Sequence, residues 1–100
     1  MNSSPTSSPQ TTHASVPTAH ASRYLQQLCK HWAHKFETEF DPTQGRISLP
    51  LGQARLTARP DTLLIDLTAI DAANMTTFQQ VVTSHIERFA FREELRFVWE

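Results

Sequence analysis

RISLPLGQARLTARPDTLLIDLTA, residues 46–69, switches between apolar and polar side chains with a period of two, and this alternation decides the fold class. Ile47 and Leu49, then Ala54, Leu56 and Ala58, then Leu63, Ile65 and Leu67 share one side, opposed by Arg46, Ser48, Arg55, Thr57 and Asp66. Successive side chains on a strand point to opposite faces, so the pattern gives a sheet with one dry and one wet face. Leu51-Gly52 and Arg59-Pro60-Asp61 interrupt the run, leaving strands near 46–49, 53–58 and 62–69. Such short connections call for antiparallel pairing. Upstream, Asp41-Pro42-Thr43-Gln44-Gly45 has turn chemistry and sets off a further strand near 38–40.

On both sides of this block the period becomes helical. In ASRYLQQLCKHWAHKF, residues 21–36, Leu25, Leu28, Trp32 and Phe36 fall on one face at roughly 100° per residue, with Ser22 as the expected N-cap. Lys30, His31, His34 and Lys35 lie toward its C-terminal end, where the macrodipole favours positive charge. A second helix is expected over 72–89, entered by Asp71, with Met75, Phe78, Val82, Ile86 and Phe89 as its buried stripe. REELRFVWE at the C-terminus alternates Leu95, Phe97 and Trp99 against Arg96 and Val98, the pattern of a half-buried terminal strand. Residues 14–18 read as a short extended piece that Pro17 confines to a sheet edge or a turn. The architecture implied is α+β and two-layered: an antiparallel sheet of four to six strands with two helices packed on one face.

With 100 residues and 39% hydrophobic content the chain supports one domain, taken as 14–100, behind a disordered Ser/Thr/Pro-rich tail at 1–13. Nine Lys and Arg against ten Asp and Glu give a net charge of -1, without the positive field that phosphate-backbone binding requires. Nucleic acid is not an expected partner. The apolar runs fall well short of the ~20 residues of a membrane span, and the N-terminus lacks the basic and apolar regions of a secretory signal. One cysteine, Cys29, excludes an internal disulfide, so a reducing, cytoplasmic setting is expected. Phe78, Phe89, Phe91, Phe97, Trp32 and Trp99 supply the bulk of a small core rather than a cofactor box.

Chemistry is less legible. His31 and His34 are about 60° apart on the wheel, so both imidazoles can address one ligand, and a transition metal ion is the candidate cofactor. His85 is the first candidate for a third donor, although its wheel position just inside the apolar stripe also suits a structural histidine. Arg88 shares the His85 side of its helix, so Arg88 and Arg23 form a candidate clamp for a small anionic ligand. Cys29 is about 160° and 140° round the helix from His31 and His34 and borders the apolar stripe, which makes it a packed thiol and not a dyad partner. The only two glycines, Gly45 and Gly52, fall in expected turns, so no phosphate cradle is present. Glu37, Glu39, Glu93 and Glu94 read as solvated charge.

RYLQQLCKHWAHKF, GRISLPLG and HIERFAFREELRFVW, in that order, make residues 14–100 resemble a bacterial family catalogued as domain of unknown function 2218. The resemblance implies a small single-domain bacterial protein, in some relatives encoded beside or fused to siderophore-interacting, flavin-dependent iron reductases. It supplies no catalytic residues. An aldolase name borne by some relatives implies a barrel of typically ~250 residues, which this chain cannot build. The expected order of strand, helix, four strands and helix also looks like the TATA-binding-protein-like arrangement, in topology alone. A non-enzymatic binding or accessory protein in iron or siderophore handling is therefore expected, using His31 and His34, with His85, Arg88 and Arg23. The alternative is an interaction module that forms a homodimer, or docks on a reductase partner, through its C-terminal edge strand. A histidine acid/base enzyme is the weaker reading, because no nucleophile or cofactor site accompanies the imidazoles.

Overall fold

The computed structural model describes residues 10–90 and 92–100, so the tail reading of residues 1–9 and the placement of Phe91 lie outside it. In chain order the elements are β1 (Gln10–Pro17), α1 (Ala21–Trp32), β2 (Thr38–Phe40), β3 (Gln44–Leu49), β4 (Gly52–Ala58), β5 (Thr62–Ala69) and α2 (Met75–Phe89). One turn of 3-10 helix, Ala72–Asn74, leads into α2. The strands form one five-stranded sheet in the order β1-β5-β4-β3-β2, antiparallel throughout. This is the expected α+β arrangement, with both helices on the dry face.

The core lies between the layers. Ile47, Leu56, Leu63, Ile65 and Leu67 point up from the sheet, and Leu25, Leu28, Phe78, Val82 and Ile86 point down from the helices, all essentially without solvent exposure. The period-two and helical stripes thus meet face to face, which is where apolar burial stabilises the fold. Pro17 sits, as expected, on an edge strand.

Five local expectations are corrected. β1 starts at Gln10, so residues 10–13, read as tail, pair with β5 from Gln10↔Ala69 to His13↔Asp66. The segment is polar, and what orders it is a ladder to a distant strand together with the buried Thr12, whose hydroxyl donates to the Glu100 carbonyl at 2.5 Å. Ser22 does not cap α1: His20 occupies the N-cap without a side-chain cap bond, and the Ser22 hydroxyl donates to the Pro42 carbonyl at 2.5 Å. The helix also ends at Trp32, although Phe36 still packs against the core. The C-terminal segment keeps the burial alternation, with Leu95 buried and Val98 exposed, but makes only a single bridge, Ala14↔Trp99, along the outer edge of β1. It covers that edge rather than adding a strand.

Gly45 is the fifth correction, since it lies within β3, paired with Leu56, and not in the turn. A Cβ there would fall 2.7 Å from the Cys29 sulfur. β3 therefore passes directly over the thiol, and burial pushes the Cys29 pKa from 9.0 up to about 11. The unfolded chain then loses this proton first, so stability is expected to fall as pH rises from about 9 toward about 11. Tyr24, raised by burial and then by Glu93 from 10.0 to about 12, extends the loss to still higher pH. Urea midpoints measured against pH should show this decline, and Cys29→Ala should remove its lower part. The native thiol should also resist alkylation near pH 8 and react fully in urea; native labelling at the rate of a free thiol would contradict the packing.

Among the described residues no helix is long and apolar enough to cross a membrane.

Candidate histidine recess at the helix seam

α1 and α2 lie side by side, and their solvent edges meet in an aromatic seam. The His31 and His85 ring centroids are 5.4 Å apart, Trp32 and His85 4.9 Å, and His31 and Phe89 6.1 Å. His85 Nδ1 lies 2.7 Å from the Val81 carbonyl oxygen, one turn back on α2. A carbonyl only accepts, so the hydrogen of this bond is carried by Nδ1. This bond holds the His85 ring against Trp32 and explains how a histidine fits beside the apolar stripe, half-buried rather than wholly inside it.

His31, His34 and His85 line one recess of about 520 Å³, with Trp32, Phe36 and Lys35 as further walls and the β3–β4 turn at Pro50 closing one side. The sequence placed His31 and His34 on one flank. That His85 joins them depends on how α2 packs, which no spacing within either helix reports. Among the described residues, however, no group of three or more His, Cys, Asp or Glu side chains is arranged to hold a metal ion. The recess offers imidazoles and a lysine in a mostly apolar hollow, which suits a molecule larger than a bare cation. Cys29 is in the core beneath Gly45 and takes no part.

Arg88 does not line the recess that Arg23 lines. Arg88 is exposed on α2, whereas Arg23 lines a second recess, of about 540 Å³, together with His20, Tyr24, Phe89, Arg92 and Glu93. The chain leaves α2 at Phe89, and it is residue 92, beyond that exit, that reaches the first turn of α1. Glu93 departs from its reading as solvated charge. One of its carboxylate oxygens accepts from the Tyr24 hydroxyl and, at 2.9 Å, from the Thr18 hydroxyl. The bond from Tyr24, ahead of that from Thr18, holds the Glu93 pKa below the ordinary carboxylate value. These partners lie 69 and 75 residues away, so no local signal could have found them. Glu39, by contrast, is a surface charge, paired with Arg46 at 2.5 Å on the open face of the sheet.

The fold and the recess together define a class: a small two-layer α+β domain with a ligand-sized hollow between the solvent edges of its two helices. The chain belongs to the bacterial family described as "Uncharacterized protein conserved in bacteria (DUF2218)", whose model matches residues 13–100. It is similar to the solved NMR structure of PA4090 from Pseudomonas aeruginosa, at 38% sequence identity over 90% of this chain and 94% of that one, with a TM-score of 0.75. Comparison with curated proteins gives no match.

Proposed function

We propose that this protein is a non-enzymatic, cytoplasmic binding domain whose ligand occupies the His31/His34/His85 recess, and that the ligand belongs to iron or siderophore handling. The observation that carries the reading is the convergence of histidines from two helices, with His31 and His85 ring centroids 5.4 Å apart, beside a lysine and an indole in one hollow. Imidazole and ammonium groups recognise anionic oxygens, and the aromatic walls take up a planar body. Iron that arrives inside its own chelator needs no complete donor set from the protein, so the ligand is a ferric chelate and not the free ion.

The test is titration of the full chain with Fe(III), Zn(II), a ferric tris-catecholate and a ferric hydroxamate, followed by calorimetry and by Trp32 fluorescence. A ferric chelate should bind saturably at micromolar concentration, and His31→Ala and His34→Ala should each weaken it about tenfold, equivalent to about 1.4 kcal/mol. No saturable binding of either chelate, or wild-type affinity in both variants, would remove the proposal.

A second reading is self-association, or docking on a reductase, through the C-terminal segment. It is supported by Val98, a large apolar side chain left 64% exposed on the strip that borders β1. Val98→Asp should then lower the sedimentation-measured oligomeric state without changing thermal stability, and a wild-type monomer that binds no reductase would count against it.

A further inference from the structure

We infer that the second recess, on the far side of Phe89 from the histidines, is a separate site for a small aromatic carboxylate. Its two guanidinium-bearing residues come from parts of the chain that only folding unites: Arg23 from the first turn of α1, and Arg92 from the stretch that follows α2. Its third basic residue, His20, stands at the N-cap of α1 without spending its side chain on a cap bond.

The opposing charge in the recess is Glu93, and its position shows how the site tolerates it. The carboxylate takes two neutral hydroxyl donors, Tyr24 and Thr18, on the same oxygen. Arg23 forms no ion pair among the described residues. Its planar fork of donors therefore stays available to a ligand, and a guanidinium matches a carboxylate with two parallel hydrogen bonds. With Arg23 and Arg92 against Glu93, the recess is net positive in a chain whose net charge is -1. The charge is local, not a property of the whole surface, and so favours a small anion over a polyanion.

The walls specify the rest of the ligand. Phe89 lines the hollow, and Tyr24, only 4% exposed, lines it mostly from within the core, its hydroxyl tied to Glu93. Phe89 is half-buried, with its other side in edge contact with His31. A ligand ring set against Phe89 gains an aromatic contact beyond area burial. Phosphate has the charge without the ring, and benzamide the ring without the charge, so benzoate is the discriminating probe.

The experiment is a two-dimensional amide NMR titration of the 15N-labelled full chain with benzoate, inorganic phosphate and benzamide. Benzoate should give saturable shifts around His20, Tyr24, Phe89 and Arg92 and bind at least tenfold more tightly than phosphate or benzamide. Arg23→Gln, an exposed substitution whose folding the same spectrum reports, should lose at least tenfold in affinity, while His34→Ala should change nothing. Retained affinity in Arg23→Gln, preference for phosphate, or shifts confined to the histidine recess would each overturn the assignment. Because the readout is benzoate at Arg23, its outcome is independent of whether a ferric chelate binds at His31.

Discussion

Gly52→Ala is expected to cost about 3 kcal/mol or more, enough to leave a domain of ordinary stability largely unfolded at moderate urea. Gly52 opens β4 at φ 153°, a conformation that L side chains rarely adopt. It is also hemmed in on both sides, paired with Leu49 in β3 and with Ala69 in β5. A Cβ added there would stand 2.0 Å from the Thr68 carbonyl oxygen and 2.9 Å from the Ala69 Cα, both backbone atoms of a strand inside the sheet. Relief therefore requires β5 to move, and β5 carries Leu63, Ile65 and Leu67, all fully buried. The measurement is equilibrium urea unfolding followed by tryptophan fluorescence. A Gly52→Ala midpoint within experimental error of wild type would refute the close approach of β4 and β5.

Phe78→Ala is the second large effect, expected to cost about 3–5 kcal/mol, as for a fully enclosed aromatic side chain replaced by methyl. Phe78 has no solvent exposure and is the largest of the fully buried side chains among the described residues. It sits in the first turn of α2 and reaches down to the sheet, where its ring lies 3.0 Å from the position of a Cβ on Gly52. Truncation leaves a cavity that the strands beneath, fixed by ladders on both sides, have little freedom to fill. Phe78→Leu, which keeps most of the volume, should cost markedly less. The two sites touch, which makes a double-mutant cycle informative. The tightest clash of a methyl group added at Gly52 is with the Thr68 carbonyl and not with the ring, so removing the ring should leave most of the Gly52→Ala penalty in place. Near-complete rescue in the double variant would show that the ring was the obstacle.

These two positions also mark where sequence reading succeeds and where it stops. Phe78 is legible as core because its neighbours Val82 and Ile86 recur at helical spacing, and periodicity is a local property. Gly52 is legible only as a turn residue. That it must lack a side chain follows from the Thr68 carbonyl, which nothing near residue 52 announces. Gly45 repeats the lesson, since its hydrogen faces the Cys29 sulfur across the interface between the layers. Residues 10–13 escape a local reading for the same reason: a polar segment without apolar alternation becomes a strand because β5 offers it a ladder. The misplaced cap at Ser22 has a related origin. Its hydroxyl is a sound local candidate, and it is drawn instead to the Pro42 carbonyl.

The site divides along the same line. His31 and His34 can be assigned to one flank of α1 from the helical turn alone. Their meeting with His85, the replacement of Arg88 by Arg92 as the companion of Arg23, and the engagement of Glu93 by Tyr24 and Thr18 all join residues far apart in the chain.

By itself the sequence determined the two helices and the strands β2 to β5, the dry face of the sheet and the buried stripes of both helices, because backbone sterics and side-chain direction make these depend on near neighbours. Only the tertiary structure decided that β1 lies beside β5, that the C-terminal segment covers an edge instead of forming a strand, and which basic and aromatic side chains share a recess. Those outcomes depend on strand register and on how the two helices settle against one another, and both are fixed by the simultaneous packing of the whole core.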